Sequence, residues 1–260
     1  MHRITIPLLA VLATLLVSIR PADAQDALAA RFAELADAKD HAKLVELWQA
    51  NPTKVLTTID ACLEGSLKIL ESEKPDPKEV ETLRTRALFG AIAADQAFGR
   101  AIFTDYASSF VGWNEAERKR FREGQKAFGA FRAAIRQEGK LEEALAHATR
   151  CYELAKPLGD WWGTAMGLTG IGTSLEKLGK KEDALAAHAA SRLIYHDFGL
   201  VGAELGNLVA MSRLLVDLDR RPRAAVTIEA ARSLIDSTGR PNEAARKELD
   251  SLSARLAETR

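Results

Sequence analysis

Apolar residues recur at intervals of three and four positions through most of this 260-residue chain. In the stretch from 55 to 70, the apolar positions of this pattern are Val55, Ile59, Cys62, Leu63, Leu67 and Leu70. Such spacing lines up one side of an α-helix and makes a stripe that has to face another helix. Because no long alternation of β-branched and polar residues occurs in the sequence, strands are not expected. The pattern predicts an all-α protein.

Capping residues mark where helices begin. Asp76 precedes Pro77, and proline is well tolerated at the first helical position, where its missing N–H would have no partner in any case. Glu79 could close a capping box with Asp76, and Asn114 with Glu117 repeats the device. These signals predict helices that start directly after Asp76 and Asn114.

A short polar segment returns at an interval of forty residues. The segment LGKKEDAL at 178–185 matches EGKLEEAL at 138–145 and LDRRPRAA at 218–225. Four columns stay in phase: Gly139, Gly179 and Asp219; Ala144, Ala184 and Ala224; Leu154, Ile194 and Leu234; and Gly159, Gly199 and Gly239. The last three glycines suit left-handed helix C-caps. Each period is therefore predicted to be two helices joined by a tight turn.

The middle unit resembles the tetratricopeptide repeat. Its first helix carries Leu168, Ile171, Gly172 and Leu175, and its second carries Ala184, the spacing of large and small residues found in that family. The other units fill the matching positions with Phe128, Phe131, Arg132 and Ile135, and with Leu208, Met211, Ser212 and Leu215. Arg132 and a histidine at 188 depart from the family pattern, and the unit is longer than the usual ~34 residues, as in the roughly 40-residue variety of the repeat.

The resemblance covers about Glu123 to Gly239. It implies a right-handed α-solenoid of antiparallel helix pairs, in which the first helix of each pair lines the concave face. Residues 123–260 are thus expected to form a repeat array ended by a closing helix over 241–260. Residues 25–122 are expected to form a helical N-terminal region, either a cap, degenerate repeats or a separate domain. Gly99 is in phase with Gly139, but Thr104 replaces the helix-packing alanine of the column that contains Ala144.

The first 24 residues have the pattern of a bacterial export signal. His2 and Arg3 precede an apolar run from Ile4 to Ile19, and Ala22–Ala24 supplies the small-x-small motif that signal peptidase reads. We expect cleavage after Ala24, which gives a periplasmic or secreted chain that begins at Gln25. The alternative is an uncleaved anchor, but the run is short for a bilayer that needs about 20 apolar residues.

Composition and charge limit the classes of partner. The chain is 47% hydrophobic and 28% charged, as is typical of helices packed on helices. Without residues 1–24, 34 basic residues stand against 35 acidic ones, a balance that gives no long-range attraction to nucleic acid or anionic lipid. The basic run Arg118–Arg122 lies among glutamates, so we interpret it as an exposed helix face with local ion pairs.

No motif in the sequence predicts catalysis, a cofactor or a metal site. The five histidines lie outside zinc-binding spacings, and nucleophile elbows, P-loops and dinucleotide fingerprints are missing. Gly167, Gly170 and Gly172 fall inside a predicted helix and indicate close helix packing, and His188 is predicted to pack against a neighbouring helix. We therefore do not expect an enzyme.

The two cysteines allow two interpretations. Cys62 and Cys151 could form one disulfide in an oxidising compartment. Cys151, however, aligns with Ser191 and Ala231, and a column of small residues is first a packing requirement. We favour packing.

The expected function is protein–protein binding. The repeat phase places seven residues toward the concave groove: Lys126, Arg136, Met166, Thr169, Thr173, Glu176 and Arg213. Small residues between them leave room for an extended segment of another exported protein, polar and acidic in character. Alternatives are a helical enzyme or enzyme subunit with a site in residues 25–122, and a structural oligomer that stacks end to end.

Aromatic clusters carry two interpretations each. Trp161 and Trp162 follow Gly159-Asp160 and either hold two repeats together, which we favour, or offer an exposed contact to a partner. Tyr106, Phe110 and Trp113 have the same two interpretations, again with the core favoured.

Overall fold

The computed structural model describes residues 21–239 and 242–258, and residues 21–25 by their backbone alone. Regular structure in this part of the chain is entirely helical, which confirms the all-α prediction. The α-helices are α1 (Pro21–Asp37), α2 (His41–Ala50), α3 (Val55–Leu70), α4 (Pro77–Phe98), α5 (Ile102–Gly112), α6 (Glu115–Ala134), α7 (Leu141–Ala155), α8 (Trp161–Lys177), α9 (Lys181–Asp197), α10 (Val201–Asp217), α11 (Arg221–Ser237) and α12 (Glu243–Glu258). Short 3-10 turns at Pro52–Lys54 and Lys156–Leu158 precede α3 and follow α7.

Predicted helix starts are confirmed at α4 and α6. The Asp76 carboxylate accepts hydrogen bonds from the N–H groups of Lys78 and Glu79. At α6 the capping box is complete, because Asn114 Oδ1 accepts from Glu117 N at 3.0 Å and the Glu117 carboxylate accepts from Asn114 N at 2.8 Å. These bonds satisfy N–H groups that the first turn of a helix leaves without partners.

Left-handed residues recur every twenty positions along the second half of the chain. Positive φ angles occur at Gly139, Gly159, Gly179, Gly199, Asp219 and Gly239. The predicted left-handed conformation of the glycine column is confirmed, with φ values of 67°, 66° and 61° at residues 159, 199 and 239. Asp219 reaches 52° with a side chain, and aspartate tolerates this region better than most residues. One helix therefore ends shortly before each of these left-handed residues, once every twenty positions.

Consecutive helices from α6 to α11 pack on their neighbours, and α12 packs on both α10 and α11. Helix α6 also touches α8. The alanine column lies at these junctions, since Ala144, Ala184 and Ala224 are each 0% exposed. Helices with alanine at the contact approach closely, which explains why this column recurs at forty residues.

The N-terminal helices share one aromatic core with the helices that follow. Trp48 is fully buried and donates its indole N–H to Gly90 O at 2.9 Å. The Trp113 indole donates to Leu158 O at 2.9 Å, and Phe198, directly after α9, packs into the same cluster. Tyr106 and Phe110 are each 1% exposed and Trp113 is 5% exposed, which confirms the interpretation of these three aromatics as core. The early helices thus dock on α8 and α9.

The predicted signal segment lies mainly in residues 1–20, outside the described residues, and its last four residues begin α1. The predicted closing helix corresponds to α12, and residues 240, 241, 259 and 260 also lie outside the described part. Among the described helices, none has the length and apolar character needed to cross a bilayer.

Candidate functional site

A cavity of about 330 Å³ lies where α3 and α5 meet α6, α7 and the beginning of α8. Aromatic and apolar side chains make up much of its wall, namely Tyr106, Phe121, Phe128, Trp162 and Met166. A volume of this size falls in the range of small-molecule sites, which are mostly apolar with a few placed polar groups. The cavity therefore has the dimensions and the lining of a binding site.

The polar groups of the cavity include two aspartates held in fixed orientations. The Tyr106 hydroxyl donates to Asp60 Oδ1 at 2.6 Å. The Gly163 N–H donates to Asp160 Oδ1 at 2.8 Å, because Asp160 is the N-cap of α8. Asp160 is only 5% exposed. The Oδ2 atom of each aspartate accepts no hydrogen bond from the residues that the structure describes.

Burial changes the proton affinity of both aspartates. It raises the pKa of Asp60 to about 6, with a further rise from the charge of Glu64, against the lowering effect of the Tyr106 hydrogen bond. It raises the pKa of Asp160 to about 7, with Asp60 and Glu64 adding to the rise and the Gly163 N–H opposing it. Groups with such pKa values exchange protons near neutral pH, which is common at functional sites.

Glu64 also lines the cavity, and Arg122 of α6 neutralises it. The Arg122 guanidinium donates to Glu64 Oε2 at 2.9 Å and to Glu71 Oε2 at 2.9 Å, which ties α6 to α3. The interpretation of the basic run as a face with local ion pairs is confirmed for Lys119, which pairs with Glu115 at 2.6 Å. Arg122 instead reaches across to α3, 51 and 58 residues away in sequence.

The predicted groove residues on α8 are partly buried. Met166 lines the cavity, whereas Thr169 bonds to Ser191 of α9 at 2.7 Å between the two hydroxyl oxygens. Thr173 donates to Thr169 O at 2.9 Å within the helix. Lys126 on α6 and Arg136, in the turn that follows α6, are exposed. The predicted groove residues therefore have three different environments. Lys126 and Arg136 face solvent, Met166 lines the cavity, and the two threonines form internal hydrogen bonds.

Arg213 and Glu176, two further predicted groove residues, pair with each other. Arg213 Nε donates to Glu176 Oε1 at 2.6 Å, and its Nη1 atom pairs with Glu248 of α12. The guanidinium thereby connects α8, α10 and α12. Because two carboxylates surround Arg213, its charge is balanced within the chain.

His188 lies in a buried polar cluster beside the groove residues. It is 3% exposed, its Nδ1 atom is 2.7 Å from Asn207 Oδ1, and burial lowers its pKa. A Cβ atom added at Gly172 would lie 2.7 Å from the imidazole, so the ring packs directly on α8. The prediction that His188 packs against a neighbouring helix is confirmed.

The tryptophan pair joins α8 to the N-terminal helices. The Trp161 indole donates to Asp105 of α5 at 2.5 Å, and Trp162 lines the cavity.

Asp60 and Asp160 were not predicted as site residues. The position of Asp160 directly after Gly159 is typical of a helix N-cap, and this signal could have drawn attention to it. Asp60 lies within the apolar pattern of α3, and no local signal marks it as a site residue.

Both cysteines are free thiols, and burial raises the pKa of Cys62 to about 11 and that of Cys151 to about 12. Cys151 is 2% exposed at the contact between α7 and α8, where its thiol donates to Gly163 O at 3.7 Å. Within residues 21–239 and 242–258, histidine, cysteine and acidic side chains form no group of three or more that could hold a metal ion.

Comparison of the chain with protein-family models, curated proteins and solved structures found no match. The class that the fold defines is therefore a coarse one. It is an all-helical protein whose consecutive helices pack on their neighbours, an arrangement compatible with a helical-repeat stack.

Proposed function

We propose that this protein is an exported helical-repeat scaffold of the tetratricopeptide type that binds a segment of another exported protein. The supporting observation is the twenty-residue recurrence of left-handed residues from Gly139 to Gly239, together with buried alanines at forty-residue intervals. A repeated helix–turn unit buries a continuous core between neighbours and leaves one long face for partners. In this proposal the helix pairs are antiparallel and the solenoid is right-handed.

The end of the array supports the same proposal. Helix α12 buries Leu249 and Leu252, which are 0% and 3% exposed, against a core shared with α10 and α11. Its other face is polar, and Arg232 of α11 pairs with Asp250 at 2.7 Å. A terminal helix of this kind covers apolar surface that a further repeat would otherwise bury.

The binding face is assigned to the first helix of each pair, α6, α8 and α10. Gly129 on α6 and Gly202 and Gly206 on α10 have open space around them, since a Cβ atom built on any of the three meets nothing within 4 Å. Such bare helix surface admits an extended backbone at short distance. Lys126 on α6 and Arg136 in the turn directly after it add exposed cations beside this face.

Site-specific photo-crosslinking in the native host tests the scaffold. A photoreactive residue in place of Arg136, in the turn after α6, is expected to give discrete adducts with one or a few proteins. The same residue in place of Arg223, an exposed arginine on α11, serves as the control and is expected to give none of these adducts. Equal adducts at both positions, or none at position 136, would count against a partner on this face.

Export is tested separately by N-terminal sequencing. The protein recovered from the exported fraction is expected to begin at Gln25, because Ala22–Ala24 matches the signal-peptidase motif. A product that retains Met1 in a membrane fraction would support the uncleaved anchor instead.

A further inference from the structure

We propose that the cavity between α3, α5, α6, α7 and α8 binds a small organic cation: a primary ammonium group carried on a flat apolar body. This site is separate in chemistry from the scaffold function, and either proposal can fail without the other. The ammonium would lie between Asp60 and Asp160, and the apolar body would lie among the aromatic side chains of the wall.

The carboxylate geometry supports an N–H donor. One oxygen of each aspartate is already fixed, by the Tyr106 hydroxyl at Asp60 and by the Gly163 N–H at Asp160. The Oδ2 atoms have no such donor among the described residues. A primary ammonium carries three N–H donors, and hydrogen bonds between ionised partners are shorter and stronger than neutral ones. In the proposed pose, one ammonium placed between the two aspartates donates to both remaining oxygens.

The charges around the cavity favour a bound cation over an anion. Arg122 is the cation that acts on Asp60, but its guanidinium donates to Glu64 and Glu71. In the described part of the chain no lysine, arginine or histidine pairs with Asp160. An ionised carboxylate that is buried without a counter-charge costs folding free energy. A bound cation offsets that cost, and it therefore stabilises this site more than it would an exposed acidic patch.

The walls fit the apolar body of the ligand and also favour its charge. Phe121, Phe128 and Trp162 present aromatic surface to the cavity, and Met166 completes the apolar lining. The faces of aromatic rings attract cations through their quadrupole, and tryptophan does so best. A ligand that places an aromatic or cyclic body against these side chains would also remove apolar surface from water.

Proton exchange at the two aspartates predicts how binding depends on pH. The cation requires ionised carboxylates, so affinity should rise with pH through the range from about 6 to about 7 in which Asp60 and Asp160 lose their protons. The other titratable or charged groups that face them are Glu64, Tyr106, Arg122 and Cys151. The tyrosine and the thiol stay neutral here, because burial raises both of their pKa values.

Isothermal titration calorimetry with 2-phenylethylammonium tests the proposal on the whole chain. At pH 8 the probe is expected to bind one to one, and its neutral isostere 2-phenylethanol is expected to bind at least about tenfold more weakly. At pH 5, where the probe is still protonated, its affinity is expected to fall by at least about tenfold. Equal affinity for the amine and the alcohol, or no binding of either, would overturn the proposal.

Isosteric variants separate the site from general charge. Asp160→Asn and Asp60→Asn keep an acceptor for the Gly163 N–H and for the Tyr106 hydroxyl, and each is expected to weaken binding of the ammonium by about tenfold or more. Asp183→Asn on α9 removes an exposed carboxyl outside the cavity and is the matched control, with unchanged affinity. Unchanged affinity in Asp160→Asn would place the cation elsewhere.

A space-filling variant tests the location without altering any charge. Gly124 of α6 lines the cavity, and a Cβ atom there would meet Leu154 Cβ at 3.6 Å, an ordinary contact. Gly124→Leu is therefore expected to fold and to abolish binding of the probe. If it binds the ammonium normally while its circular dichroism and melting match the parent protein, the proposed location is wrong. If it does not fold, the isosteric variants alone decide.

Discussion

Three glycines of α8 set how closely the neighbouring helices approach. A Cβ atom at Gly167 would lie 2.7 Å from the Tyr152 backbone nitrogen, and one at Gly170 would lie 2.9 Å from Ala148 Cβ. Glycine within a helix costs about 0.5–1 kcal/mol relative to alanine, and close contact with α7 offsets this cost. The interpretation of these glycines as close packing is confirmed.

The substitution Gly167→Ala is expected to destabilise the protein by on the order of 1–3 kcal/mol, because the added methyl group meets backbone atoms that cannot move aside. The exposed Gly206→Ala on α10 is the matched control. Its Cβ meets nothing within 4 Å, so it is expected to stabilise by about 0.5–1 kcal/mol through helix propensity. Urea unfolding of the two variants checks the prediction, and shifts of the same sign would contradict it.

At the scale of the elements, α8 is the helix on which several features converge. Its N-cap Asp160 and its first turns line the cavity, its middle contacts the buried cluster of His188, and Glu176 near its end pairs with Arg213. It packs on both α7 and α9. A change in the contact of α8 with either neighbour is therefore expected to affect the cavity as well as the stack.

The substitution Ala184→Trp tests the alanine column. Ala184 is 0% exposed in a small core cluster with Leu175 and Leu185, so a tryptophan would overpack the junction of α8 and α9 and cost on the order of 1–3 kcal/mol or more. Ala186→Trp places the same residue on the exposed side of α9. Thermal melting is expected to show a large loss for the first variant and little change for the second. Equal melting temperatures would mean that the assigned repeat phase is incorrect.

At the scale of the whole molecule, the junction between the N-terminal helices and the later ones creates the cavity. Phe198, directly after α9, and Leu158, before α8, belong to the same core cluster as Trp48 and Phe103. Asp60 approaches from one side of this junction and Asp160 from the other. Burial of two carboxyls at such a junction gives the stability of the fold a dependence on pH.

The sign of that dependence follows from the raised pKa of Asp160. In the folded state its pKa is about 7 instead of the ordinary 3.8, so between these values the folded chain binds a proton that the unfolded chain does not. The resulting stabilisation of the folded state is fully present below about pH 3.8, the ordinary pKa of aspartate, and is lost as pH rises from there through about 7. The lost stabilisation is on the order of a few kcal/mol.

Asp160→Asn removes this titration and keeps the helix cap. The melting temperature of the variant minus that of the parent is expected to be more positive at pH 8 than at pH 5. Asp183→Asn, an exposed carboxyl, is expected to show the same difference at both pH values. An Asp160→Asn difference that does not change with pH would show that this carboxyl titrates normally.

The sequence by itself determined the features that depend on residues close together in the chain. Helix starts at Asp76 and Asn114, left-handed glycines at helix ends and the buried column of Ala144, Ala184 and Ala224 were all readable. The physical reason is that capping bonds, positive φ angles and apolar stripes are decided within a few residues.

Tertiary structure alone decided the cavity and the ion pairs. Tyr106 meets Asp60 across 46 positions, and Arg122 meets Glu71 across 51. No local pattern indicates that Asp60 lines a cavity, or that Arg213 is surrounded by two carboxylates instead of facing a partner. Burial, pKa and pairing depend on which helix faces which, and that arrangement arises only when the N-terminal helices dock on α8 and its neighbours.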